Sequence, residues 1–220
     1  MQPPEISPLF SIIQAAGWPI WPLITCSVLA LALIIERFIS LKSAKVAPAR
    51  LLDEAVAVSR HSVPAADVVA QLEQNSALGE VLASGFRVLA ANPRSSEEEL
   101  RAAMEGSGRA VAHRLERYLS ALGTIASASP LLGLLGTVIG MIEIFGSQSP
   151  GGSTGGNPAQ LAHGISIALY NTAFGLMVAI PSLIFWRYFR SRVDEYLLVL
   201  ELSSERFVRH LLSLRKPSSH

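Results

Sequence analysis

Positive charge is missing from two long stretches of this 220-residue chain: residues 1–36 and 118–186 contain no Lys or Arg, so all 18 lie at 37–117 or 187–216. Charged residues make up only 16% of the chain, against about a quarter in soluble domains, and half of it is hydrophobic. An ordinary soluble domain is excluded. The single cysteine, Cys26, rules out an internal disulfide, and a net charge of +1 gives no general attraction to nucleic acid. Recognisable catalytic sets are also missing. GGSTGG at 151–156 lacks the Lys of a phosphate loop, the five His show no metal-ligand spacing, and no base accompanies Cys26. The expectation is a protein that is not an enzyme and has no cofactor or metal.

What fills the charge-free stretches is apolar. Trp18 to Phe38, about Leu119 to Phe145 and about Ala162 to Phe185 each match the ~20 residues that cross a ~30 Å hydrocarbon core at ~1.5 Å per residue. Bases flank them on one side only. Lys42, Lys45 and Arg50 follow the first, Arg109, Arg114 and Arg117 precede the second, and Arg187, Arg190 and Arg192 follow the third. By the positive-inside rule the N-terminus is outside and the 41–117 region and C-terminal tail are cytoplasmic. The leader before Trp18 has no base and the apolar run is too long for a cleaved signal peptide, so an anchor is expected.

The organisation predicted is an all-α polytopic membrane protein. An outer-surface segment (1–17) carries a short amphipathic helix opened by Ser7-Pro8, and the first transmembrane helix (18–38) enters beside Trp18 and Trp21. A cytoplasmic helical domain (39–117) follows, with Pro48, Pro64 and Pro93 as breaks. The second span (118–146), a Gly-rich outer loop (147–160), the third span (161–186) and a cytoplasmic C-terminal helix and tail (187–220) complete it. Ser96 followed by Glu99 is a capping box, and no Pro intervenes before Pro130, so one helix is predicted from Glu97 to Phe145. A second is predicted from Leu161 into the tail, kinked at Pro181.

Several residues in the spans could do more than fill lipid. Gly133, Gly136 and Gly140 in the second span, and Gly164, Ala168, Gly175 and Ala179 in the third, allow close backbone approach. Thr137 and Thr172 lie at a common depth, about 12–14 Å below the outer surface. Their hydroxyls can return to their own helix or line a narrow lumen. Glu143, the only acid between Glu116 and Asp194, sits about 3 Å from the outer end. It is either a solvated interfacial acid or one placed at a cation entrance. Asn171 and Ser166 suit helix-to-helix hydrogen bonds, and His163 suits the interface.

SASPLLGLLGTVIGMIEIF (127–145) with ALYNTAFGLMVAIPSLIFWRYF (168–189) resembles the ExbB/TolQ/MotA superfamily of ion-driven motor subunits, and ExbB most. Pro130, Gly133, Gly136, Thr137, Gly140, Thr172, Gly175 and Pro181 fall on the family's pattern in order. The resemblance implies an inner-membrane homopentamer around an ExbD-like single-span partner that carries an intramembrane Asp. Protons crossing to that Asp past Thr137 and Thr172 would drive the partner, which acts on a TonB-like protein. Ile167 stands where ExbB and TolQ relatives carry a third-span Glu. It lies about 6 Å below His163, close in depth to Glu143, which is therefore expected to supply the missing carboxylate. The rival readings are a TolQ-like envelope-maintenance subunit and a non-conducting membrane scaffold.

Overall fold

A computed structural model describes residues 17–60, 63–146 and 158–213. Among them every regular element is a helix: α1 (Ile20–Ser40), α2 (Ser43–Val46), α3 (Leu51–Val58), α4 (Ala66–Asn75), α5 (Ala77–Ala91), α6 (Glu97–Gly146) and α7 (Pro158–Ser213). The expected amphipathic helix before Gly17 and most of the expected outer loop, 147–157, lie outside the described residues. Three helices carry stretches long and apolar enough to cross a membrane, within Ile20–Ser40, Glu97–Ile142 and Gly164–Ser213.

Local chemistry sets the ends. Gly17 has a φ of 72°, the left-handed region that glycine enters without penalty, and Trp21 N–H closes a turn on the Trp18 carbonyl at 3.2 Å. The first helix therefore runs Ile20–Ser40, displaced by two residues from the predicted 18–38. The predicted capping box is formed: Ser96 N–H donates to Glu99 Oε2 at 2.8 Å and Glu99 N–H to Ser96 Oγ at 3.1 Å. From there α6 continues unbroken for 50 residues through Pro130. The last helix begins at Pro158, where a residue without N–H costs nothing, and runs 56 residues through Pro181.

The chain divides into two compact units, one made from 1–35 and 119–187 and the other from 36–118 and 188–220. The first has an inside-out pattern. Its buried positions are largely small or polar, among them Ala126, Ser129, Ala168, Asn171, Ala179 and Ser182. Its exposed ones are large and apolar, such as Leu131, Ile142, Leu169, Met177 and Ile184. Such packing suits a lipid solvent, which gives apolar side chains no reason to hide.

The second unit packs conventionally. Val81, Leu82, Phe86, Leu100, Met104, Phe189, Val193, Phe207 and Leu211 are all at most 1% exposed. Phe86 and Phe207 meet edge to face with centroids 4.9 Å apart, and Phe38 meets Phe189 the same way at 5.0 Å. Polar ties connect distant parts of the sequence. Tyr196 donates its hydroxyl to the Leu41 carbonyl at 2.9 Å. Ser59 Oγ lies 2.9 Å from His210 Nε2 and itself donates to the Ala55 carbonyl at 2.7 Å, so it accepts from an Nε2–H imidazole. Burial, and secondarily the Arg60 cation, hold the His210 pKa below the ordinary 6.5.

Candidate functional site

Gly133, Gly136 and Gly140 of α6 meet Ala168, Asn171, Thr172 and Gly175 of α7 along one seam. A methyl placed on Gly133 would lie 2.8 Å from the Asn171 carbonyl oxygen and 3.1 Å from Thr172 Cα. One on Gly175 would lie 2.6 Å from the Ser129 carbonyl oxygen and 3.1 Å from Gly133 Cα. Nothing larger than hydrogen fits at these two positions. Gly136 is filled by the Asn171 side chain, whose Cβ would be 2.8 Å from an added methyl, whereas at Gly140 the nearest atom, Ala168 Cβ, is 3.4 Å away. The seam is thus tightest around Gly133 and loosens toward Gly140.

Close approach brings polar groups together. Thr172 donates its hydroxyl across the seam to the Gly133 carbonyl at 3.3 Å, a long bond from a half-buried side chain. Thr137 stays within its own helix, donating to the Leu134 carbonyl at 2.7 Å, and is half-exposed. Asn171 is 1% exposed, wedged against Gly136. Ser166 returns to the Ala162 carbonyl at 2.9 Å. The backbone at Glu143 is helical, but its side chain, with those of His163 and Ile167, lies outside the described part.

The two intrahelical prolines each have a serine neighbour. Pro130 removes the donor for the Ala126 carbonyl and Pro181 the donor for the Met177 carbonyl. Ser129 and Ser182 are both buried and bond the adjacent carbonyls, of Ile125 and Val178, each at 2.7 Å.

One residue of consequence enters the sequence reading only as the first base after a charge-free stretch. Arg37 is 3% exposed, pairs with Glu36 through Nε at 2.5 Å and Nη2 at 2.8 Å, and donates Nη1–H to the Leu115 carbonyl at 2.8 Å. Its guanidinium also lies 4.8 Å from the Tyr118 ring centroid. Spacing carries the signal for its burial, since Leu23, Ala30, Ile34 and Arg37 fall on one helical face and all four are buried.

Three apolar helices, an interior of small and hydroxyl residues and two long helices paired at glycines define a polytopic membrane protein whose second and third spans form its polar interior. Residues 73–202 match the family model described as the MotA/TolQ/ExbB proton channel family. An ExbB-like biopolymer transport protein of Synechocystis is 37% identical over 178 residues, covering 81% of this chain and 83% of the relative. A biopolymer transport protein of the ExbB type from Vibrio cholerae is 33% identical over 172 residues, covering 77% and 73%. The Tol-Pal system protein TolQ of Pseudomonas aeruginosa is 32% identical over 130 residues, covering 56% and 55%. The chain belongs to the MotA/TolQ/ExbB proton channel family.

Proposed function

We propose that this chain is the inner-membrane stator and proton-path subunit of a motor that energises TonB-dependent transport across the outer membrane. Five copies would surround an ExbD-like single-span partner whose intramembrane Asp takes and releases protons. ExbB-type names among the most similar relatives favour this reading over the TolQ-like one, which the Pseudomonas aeruginosa relative keeps as the alternative. The base-free outer side and the bases at 37–117 and 187–216 favour an outside N-terminus and a cytoplasmic second unit.

The observation that carries the reading is the Thr172 bond. A hydroxyl can donate and accept at once, and one held at 3.3 Å by a single carbonyl can exchange that acceptor for a carboxylate brought close by a partner. Thr137, half-exposed on α6, offers a second hydroxyl. A proton crossing the membrane releases about 2.3 kcal/mol per 100 mV, enough to bias the partner's position at each protonation. Glu143 would supply the outer carboxylate that Ile167 lacks.

The test is co-expression with the ExbD-like partner in bacteria lacking ExbB and, separately, in bacteria lacking TolQ. Restored TonB-dependent uptake, lost when the partner's Asp becomes Asn, is the expected result. Restored envelope integrity without uptake would move the assignment to the TolQ-like role. Glu143→Gln, assembled normally, is expected to slow uptake, and full activity in that variant would remove Glu143 from the path.

A further inference from the structure

The second unit contains a polar cleft of about 640 Å³ that the proton path does not use. It lies between the end of α1, α2, the α4–α5 junction and the stretch of α6 around Arg114 to Tyr118. Four bases line it, and its three carboxylates are all engaged. Glu36 is held by Arg37, Glu80 by Arg114 at 2.6 Å, and Glu73 by Arg87 at 3.0 Å. Lys45 and Arg117 are left with no carboxylate partner among the described residues, and both are exposed. At the buried edge, Arg37 commits three of its five N–H groups to Glu36 and Leu115, leaving one on each terminal nitrogen. Arg117 stands over the Tyr118 ring, 4.5 Å from its centroid, which holds the guanidinium beside the cleft.

The sequence position of these bases selects the ligand. Arg37 closes the first apolar segment, and Arg117 is the last base before the 69 residues that contain the other two. Both therefore belong at the headgroup level of the cytoplasmic leaflet, where acidic lipids concentrate and each nearby base contributes about 1 kcal/mol of attraction. We infer that the cleft binds the phosphate headgroup of an acidic glycerophospholipid, with Lys45 and Arg117 as its direct contacts and Arg37 as the fixed base beneath them. The inference rests on the three-span orientation alone and not on the proton path.

The full-length protein would be extracted from vesicles of equal parts phosphatidylglycerol and phosphatidylcholine, and the retained lipids counted by native mass spectrometry. Retention of phosphatidylglycerol over phosphatidylcholine by roughly tenfold or more is expected from two bases. Lys45→Gln with Arg117→Gln should bring the two lipids near parity. Lys45→Arg with Arg117→Lys should keep the preference, as should Arg94→Gln with Arg101→Gln, which removes bases outside the cleft. Excess inorganic phosphate should not displace the lipid. An undiminished preference in the Gln double variant, with its helicity intact, would overturn the proposal. So would equal retention of both lipids in the native protein, and displacement by inorganic phosphate would reassign the cleft to a soluble anion.

Discussion

One methyl added at Gly175 would press against the Ser129 carbonyl at 2.6 Å and one at Gly133 against the Asn171 carbonyl at 2.8 Å, both backbone atoms that cannot turn aside. Gly175→Ala and Gly133→Ala are therefore expected to cost about 1–3 kcal/mol each, whereas Gly140→Ala, in ordinary contact with Ala168, should be close to neutral. Thermal melts of the detergent-solubilised protein would rank the three. Thr172→Val keeps the shape and removes the donor. A stability loss of about 0.6 kcal/mol, typical of such bonds in membranes, should accompany a large loss of partner-dependent proton flux, with Thr172→Ser retaining both. Sequence alone grouped these glycines and threonines by helical face but left open what lay opposite. Helical spacing specifies a face, and the identity of its neighbour depends on tertiary contacts. Asn171 shows the difference, since only the structure reveals that Gly136 is small in order to seat it.

His210 supplies a prediction of a different kind. Its folded pKa lies below the ordinary 6.5, so the folded state favours neutral imidazole while the unfolded chain takes up a proton first. The contribution to stability is complete above 6.5 and is lost as the pH falls from there through the folded value. Melting temperature should drop on acidification across that window. His210→Gln, which keeps a donor for Ser59, should flatten this part of the profile, and an unchanged profile would remove His210 as its source.

At the level of elements, prolines and caps did most of the work that sequence could read. Pro48, Pro64 and Pro93 fall between helices, and the Ser96 box opens α6 as predicted. The break between α4 and α5 went unseen because no Pro marks it. Ser76 turns extended, with φ −162° and ψ 167°, and its hydroxyl accepts from Gly79 N–H at 3.0 Å. The turn is so tight that a methyl on Gly79 would lie 2.0 Å from the Leu72 carbonyl oxygen. Gly79→Ala should thus disrupt the α4–α5 packing outright, while Ser96→Ala should cost only about 1 kcal/mol, as for an ordinary lost cap. Hydrogen exchange at the amides of α4 and α5 would separate the two cases, rising in the first variant and not in the second.

For the whole molecule, the three-span, all-helical character was legible because charge-free length is a direct consequence of lipid thickness. The two-unit division was not legible, since it depends on residues far apart in sequence meeting in one core. The proposed orientation predicts that a periplasm-dependent reporter fused after Asn157 is active and one fused after Lys45 is silent. The opposite pattern would invert the topology and with it the cytoplasmic placement of the second unit.

The core of that second unit is completed by Phe207 and Leu211, each fully buried, against Phe86 and beside Gly85. Until 188–213 join them, residues 36–118 leave the apolar side of that core open. On the proposed orientation, only a chain whose third span has been inserted in the right direction would return 188–213 to the same side to close it. On that orientation, folding of the second unit would act as a check on membrane insertion, leaving wrongly threaded chains with an exposed apolar face for quality control to recognise.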